Sequence, residues 1–271
     1  STLFPYTTLF RSRSKYFISI FVCMTPFLDQ VARHYDAAGG VEDLCFIFPN
    51  RRAVLFFQKY LGACAARAGR PLCAPAVFTM DDFFYTLAGA HKTDQVHLLL
   101  ELYACYKPLY EAQGAKAEEL DDFIFWGGVL LSDFGDVDKY LVDPQRLFHN
   151  IADFRALQDD FNYLEEGQVE AIRHFLSHFK TGGKYQEAFR RIWDILLPLY
   201  ESFNERLRSL GMSCPGQVYR TLAERLADTP AADLMAERFP GVRKFVFVGQ
   251  NALNECEKRL MRRLRDARLA D

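Results

Sequence analysis

No apolar run in this sequence approaches the roughly 20 residues that a membrane-spanning helix needs, so no segment reads as one. Cysteine never occurs as C-x-x-C, which removes the paired-ligand spacing of structural zinc sites and the dithiol redox motif. There is no H-E-x-x-H, no serine nucleophile elbow and no Cys–His pair that spacing supports. Internal repeats and low-complexity tracts are missing too. So is any large excess of one charge: the formal net charge is −2. Such a chain is not a bulk polyanion binder, and any nucleic-acid contact must be local. The most telling shortage is glycine at one particular turn.

That turn follows residues 44–48, Leu-Cys-Phe-Ile-Phe, five apolar residues that read as a fully buried strand. Pro49-Asn50 break the run. Apolar residues then recur at Ala53, Val54, Phe57, Tyr60, Leu61 and Cys64, which is helical spacing. A buried strand feeding a helix through a tight turn is how a nucleotide-binding α/β unit opens. A working P-loop would place G-x-x-x-x-G-K-[ST] there, because glycine amides wrap the phosphates and a lysine reaches them. Here the turn is Pro49-Asn50-Arg51-Arg52. Proline has no N–H, and no glycine lets backbone approach a phosphate.

The first 23 residues are set aside. Residues 2–12 resemble the translation of a common sequencing adapter, so residues 1–23 are expected to be an artefactual or disordered leader, with Met24 as the true start. The rival reading is a signal peptide. Its apolar stretch, 16–23, is short, and no small-residue cleavage site follows. Without Arg11, Arg13 and Lys15 the net charge becomes −5. The remaining cysteines, at 45, 64, 73, 105, 214 and 256, read as reduced, buried thiols of a cytoplasmic protein. The end at Asp271, after a basic helix with no capping glycine, is expected to be a truncation.

From Thr25-Pro26, an N-cap followed by proline at the first helical position, residues 24–90 read as α-β-α-β-α with a second strand at 76–80. From 93 to about 230 the pattern is helical, with helices at 94–110, 122–142, 185–210 and 216–226 and a kink expected at Pro198. A strand returns at 244–249 and a helix at 254–268. The simplest topology is a parallel α/β sheet interrupted by a large all-helical insertion. Residues 24–92 and 236–271 would form the discontinuous α/β domain and 93–235 the insertion.

The strand at 244–249 sits where an NTPase places the acid that positions Mg²⁺ and water. It ends instead in Gly249-Gln250-Asn251. Both phosphate-site elements are therefore missing, and no cofactor, metal or catalytic residue is expected for this stretch. Arg51 and Arg52 stand at a helix N-terminus, where the helix dipole disfavours cations. Helix N-termini attract anions, so two arginines with free N–H groups could hold a backbone phosphate. Asp133, Asp136 and Asp138, with Asp121, Asp122 and Asp143 near one aromatic helix, read as a solvated acidic face rather than a cation site. His174 and His178 have i, i+4 spacing but no third ligand nearby. Gly182-Gly183-Lys184 reads as a turn. The basic residues at 258, 259, 262, 263, 265 and 268 read as a solvated face or a phosphate-contacting one.

Four blocks occur in order: 46–53 (FIFPNRRA), 76–84 (AVFTMDDFF), 125–140 (FWGGVLLSDFGDVDKY) and 245–257 (FVFVGQNALNECE). Together they resemble the N-terminal region of bacterial, Bacteroidetes-type AddB-like proteins of the PD-(D/E)XK nuclease family, across essentially all of 24–271. The resemblance implies a superfamily I helicase-like fold with an incomplete P-loop NTPase site and a role in double-strand-break repair and recombination. It also implies contact with single-stranded or end DNA and a helicase–nuclease partner subunit. The family's nuclease residues lie far downstream and cannot be carried over. In such helicases the region after the second strand lines the DNA track, which adds Thr79 to Asn50, Arg51 and Arg52 as candidate DNA-binding residues. A capping role for Thr79 ahead of the helix at Asp81 is equally open. A protein-interaction scaffold that touches no DNA also stays open.

Overall fold

A computed structural model describes residues 25–148 and 184–271, the side chains of 184–190 excepted. The expectations for residues 1–23, for His174 and His178 and for Gly182-Gly183 lie outside the described residues. The described chain divides into two compact units. One comprises the residues up to Phe83 with Phe239–Asn251 and Leu264–Asp271; the other comprises Phe84–Arg238 with Ala252–Arg263.

The fold is α/β and mostly helical, with one small sheet. In the first unit β1 (Leu44–Phe48), β2 (Ala76–Thr79) and β3 (Lys244–Phe247) are all parallel, in the order β2-β1-β3. Cys45 lies opposite Ala76 on one side and Phe245 on the other. β1 is buried along its whole length, as a central parallel strand covered on both faces must be.

Alternate residues of β1 serve opposite faces. Leu44, Phe46 and Phe48 pack with Val246 and Val248 against Ala32 of α1 (Phe27–Ala38) and Phe57 and Leu61 of α2 (Arg51–Ala68). The Phe57 ring lies 4.6 Å from that of Phe46 and 5.0 Å from that of Phe48. Another aromatic group forms around Phe83, stacked on Phe239 at 5.2 Å and tilted against Phe245 at 5.6 Å. Each buried phenylalanine is worth about 1.5–3 kcal/mol, so these rings are the main cohesion of a three-stranded sheet. The outer edge of β3 is not left open. Phe245 N–H donates to Leu269 O at 2.8 Å, Asp271 N–H donates to Phe245 O at 3.0 Å, and Lys244 pairs with Asp271 at 2.6 Å.

The helical unit contains α4 (Gln95–Glu111), α5 (Leu120–Lys139), α6 (Lys184–Ser209), α7 (Pro215–Asp228) and α8 (Ala231–Arg238). Two more helices are α3 (Met80–Ala88) and α9 (Glu255–Asp266). Phe123, Gly127, Leu130, Phe134 and Val137 form the buried stripe of α5 at helical spacing. They meet Leu98, Leu102 and Tyr106 of α4 and Leu196, Leu199, Phe203 and Leu207 of α6. Helix α6 runs unbroken through Pro198. Helix α8, preceded by Pro230, was not anticipated: eight residues are too few for periodicity to separate from a loop. Gly216 of α7 approaches Gly135 of α5 so closely that an added Cβ would come 2.6 Å from the Gly135 Cα.

Candidate functional site

The carboxyl ends of β1, β2 and β3 point the same way because all three strands are parallel. Ligands of open α/β sheets bind beyond that edge. Thr79 is the register partner of Phe48, and Asn50 follows Phe48 by two residues. Asn50, Arg51, Arg52 and Thr79 therefore belong to one edge of the sheet, with Gly249-Gln250-Asn251 after β3.

Two of the four are committed to capping. The Asn50 carboxamide oxygen accepts from Ala53 N–H at 3.0 Å, satisfying one of the amides left open at the start of α2. The Thr79 hydroxyl accepts from Asp82 N–H at 3.1 Å and donates to the Asp82 carboxylate at 2.7 Å. This is a capping pair at the start of α3. A phosphate reaching Thr79 would displace that bond and meet the Asp82 carboxylate. Of the two roles open to Thr79, the capping one is present.

Arg51 and Arg52 are different. Both are exposed on the first turn of α2, and neither side chain makes a hydrogen bond or ion pair with a described residue. Proline occupies the turn before them. After β3, Gly249 has φ +70°, a left-handed conformation that glycine adopts without strain. The side chain of Gln250 turns back and donates to Ile47 O at 3.3 Å. The same carbonyl also accepts from Val248 N–H at 2.9 Å, so the amide adds a second bond to the central strand. Among the described residues no three His, Cys, Asp or Glu side chains converge on a possible metal site. No described helix is long and apolar enough to cross a membrane.

The acidic row of α5 is not uniformly solvated. Asp138 is 2% exposed; it accepts from Tyr200 OH at 2.5 Å and from Arg220 Nε at 2.7 Å. Asp133 is half-buried. Burial, and then the charge of Asp136, push its carboxyl up to about 6. A carboxyl raised on folding adds stability below its unfolded value, and that stability is lost as pH rises through about 6. Asp133→Asn should therefore stabilise the protein by about 1–2 kcal/mol at slightly alkaline pH and by almost nothing at acidic pH. Chemical denaturation midpoints at the two pH values measure this; equal shifts at both would refute it.

The basic face of α9 is partly structural. Arg259 donates to Ala223 O and Arg263 to Ala227 O, each at 3.4 Å, near the C-terminus of α7 where cations are favoured. Neither contact has a local signal in the sequence. The six described cysteines are free thiols, Cys73 exposed and the other five buried. Burial pushes the Cys45 thiol up to about 12 and the Cys214 thiol up to about 11, away from the nucleophilic thiolate.

Comparison with known proteins assigns no family: no protein-family model matches this chain, and no curated protein matches it.

Proposed function

We propose that this chain is a non-catalytic, helicase-like nucleic-acid-binding region of a double-strand-break-processing nuclease of the AddB-like type, with single-stranded or end DNA as its ligand. The observation that carries this reading is the pair of exposed arginines, unpaired among the described residues, at the carboxyl edge of a parallel sheet where Pro49-Asn50 stand in place of a phosphate loop. An incomplete P-loop NTPase fold accounts for both the strand–turn–helix opening and the Gln250 amide where an acid would stand. A helicase–nuclease subunit is the partner this reading implies.

The test uses the full chain. It should bind single-stranded DNA weakly and lose affinity with salt, and it should turn over no ATP with or without DNA. The double variant Arg51→Ala/Arg52→Ala should weaken binding regardless of sequence and flatten the log–log salt slope by roughly 1.4, two phosphates at about 0.7 each. An unchanged double variant at low salt, or a parent that binds no DNA, would defeat the DNA reading. DNA-stimulated ATP turnover would defeat the non-catalytic one.

A second reading, a scaffold for a partner subunit without DNA contact, is favoured by a different observation. Ile124, Phe125 and Val129 of α5 are exposed, Phe125 to 84%. A partner-covered helix face would look like this.

A further inference from the structure

We infer that the outward face of α2 continues the single-stranded nucleic-acid surface, with Phe56 as a base-stacking platform and Lys59 as a further phosphate contact. The inference rests on the DNA reading above and adds residues and a binding mode to it.

Charge is the first observation. Residues 44–80 contain no Asp or Glu but five cations, Arg51, Arg52, Lys59, Arg67 and Arg70, in a chain whose net charge is negative. Two of the five are answered by α1: Arg70 pairs with Asp36 at 2.5 Å, and Arg67 lies 3.9 Å from Asp29. Arg51, Arg52 and Lys59 have no ion-pair partner among the described residues. The uncompensated charge of α2 is thus gathered on its outward side, in its N-terminal half, and it calls for a polyanion.

Geometry is the second. Positions 52, 56 and 59 are spaced i, i+4, i+7 and share one helix face, spanning about 10 Å along the axis. Between the two cations lies Phe56, 43% exposed although large and apolar, with Leu55 beside it at 66%. The Phe56 ring stacks on Tyr60 with centroids 6.2 Å apart and planes at 28°, and the residue keeps 43% of its surface exposed. An aromatic ring set among cations is how sequence-tolerant single-strand binders work: the cations hold the backbone and the ring takes a base. A duplex, with its bases already stacked, gains nothing from Phe56.

The experiment compares a short labelled oligothymidylate, an abasic phosphodiester strand of the same length, the corresponding duplex and polyglutamate, by fluorescence anisotropy on the full chain. The parent should prefer oligothymidylate to the other three. Phe56→Ala should lower oligothymidylate affinity roughly tenfold and leave abasic-strand binding unchanged. Lys59→Ala should weaken both strands and reduce the salt slope by about 0.7. Because these side chains are exposed, melting of the variants should match the parent. If Phe56→Ala binds oligothymidylate as the parent does while the double arginine variant does not, the stacking inference fails and the wider reading stands. If the parent binds polyglutamate and no oligonucleotide, both fail and the face belongs to an acidic protein.

Discussion

Arg220→Met is expected to destabilise the helical unit by about 3–5 kcal/mol, the range for removing one partner of a buried ion pair. The side chain of Arg220 joins α7 to α5 and to the turn after it by three hydrogen bonds. Nε donates to the Asp138 carboxylate at 2.7 Å, and Nη2 donates to Val137 O at 2.9 Å and to Val142 O at 2.6 Å. Tyr200 of α6 donates to the same Asp138 oxygen. Methionine fills similar space but donates nothing: the buried carboxylate keeps only the Tyr200 hydroxyl, Val137 O keeps only the Val142 N–H at 3.0 Å, and Val142 O loses its Arg220 donor. Burial already pushes the Asp138 carboxyl up from the ordinary range, with the bonds from Tyr200 and Arg220 and the charge of Arg220 pulling it back. Without Arg220 the upward push prevails. A carboxyl raised on folding is best tolerated below its unfolded pKa, and the deficit grows as pH rises through the folded value. The loss should thus be largest at neutral pH and shrink in mild acid. Denaturant midpoints of parent and variant at both pH values give the answer. A loss under about 1 kcal/mol would mean that the pair behaves as a surface bridge. The double variant Asp138→Leu/Arg220→Met should recover much of the loss, because a buried pair contributes little over a packed apolar one.

This network was invisible in the sequence for a simple reason. Asp138 stands 62 residues from Tyr200 and 82 from Arg220, and no local pattern links them. Its acidic neighbours made the row look solvated. The sheet was legible because its signal is local. Five consecutive apolar residues bounded by Pro49-Asn50 can hardly be anything but a central strand, and the β-rich 244–248 stretch needed a parallel partner. Thr79 was ambiguous on principle: capping a helix and donating to a phosphate use one hydroxyl, and only the position of Asp82 decides. Arg51 and Arg52 could be placed at a helix start from the sequence. That Arg67 and Arg70 are answered by α1 while Arg51, Arg52 and Lys59 have no ion-pair partner among the described residues depends on how the two helices pack.

Phe57→Ala should cost about 3–5 kcal/mol, while Phe56→Ala, one residue earlier, should cost almost nothing. The pair is a dipeptide of identical side chains, and composition or hydropathy cannot separate them. Successive residues on a helix are about 100° apart, so only one of the two can face the sheet. Phe57 does: it is fully buried between the rings of Phe46 and Phe48 and the side chain of Leu61. Its removal leaves a cavity under the centre of α2 that the two neighbouring rings can only partly close. Phe56 faces outward, 43% exposed, with its ring against that of Tyr60. The DNA readings then separate the two variants by mechanism. Phe56→Ala should lose oligothymidylate affinity at unchanged stability, because it removes a contact. Phe57→Ala should lose stability first, and lose affinity only under conditions where α2 leaves the sheet and carries Arg51, Arg52 and Lys59 with it. Thermal melts alongside anisotropy titrations distinguish these outcomes. If Phe57→Ala melts as the parent does, α2 is not held to the sheet by that ring, and the placement of the arginines at the sheet edge falls with it.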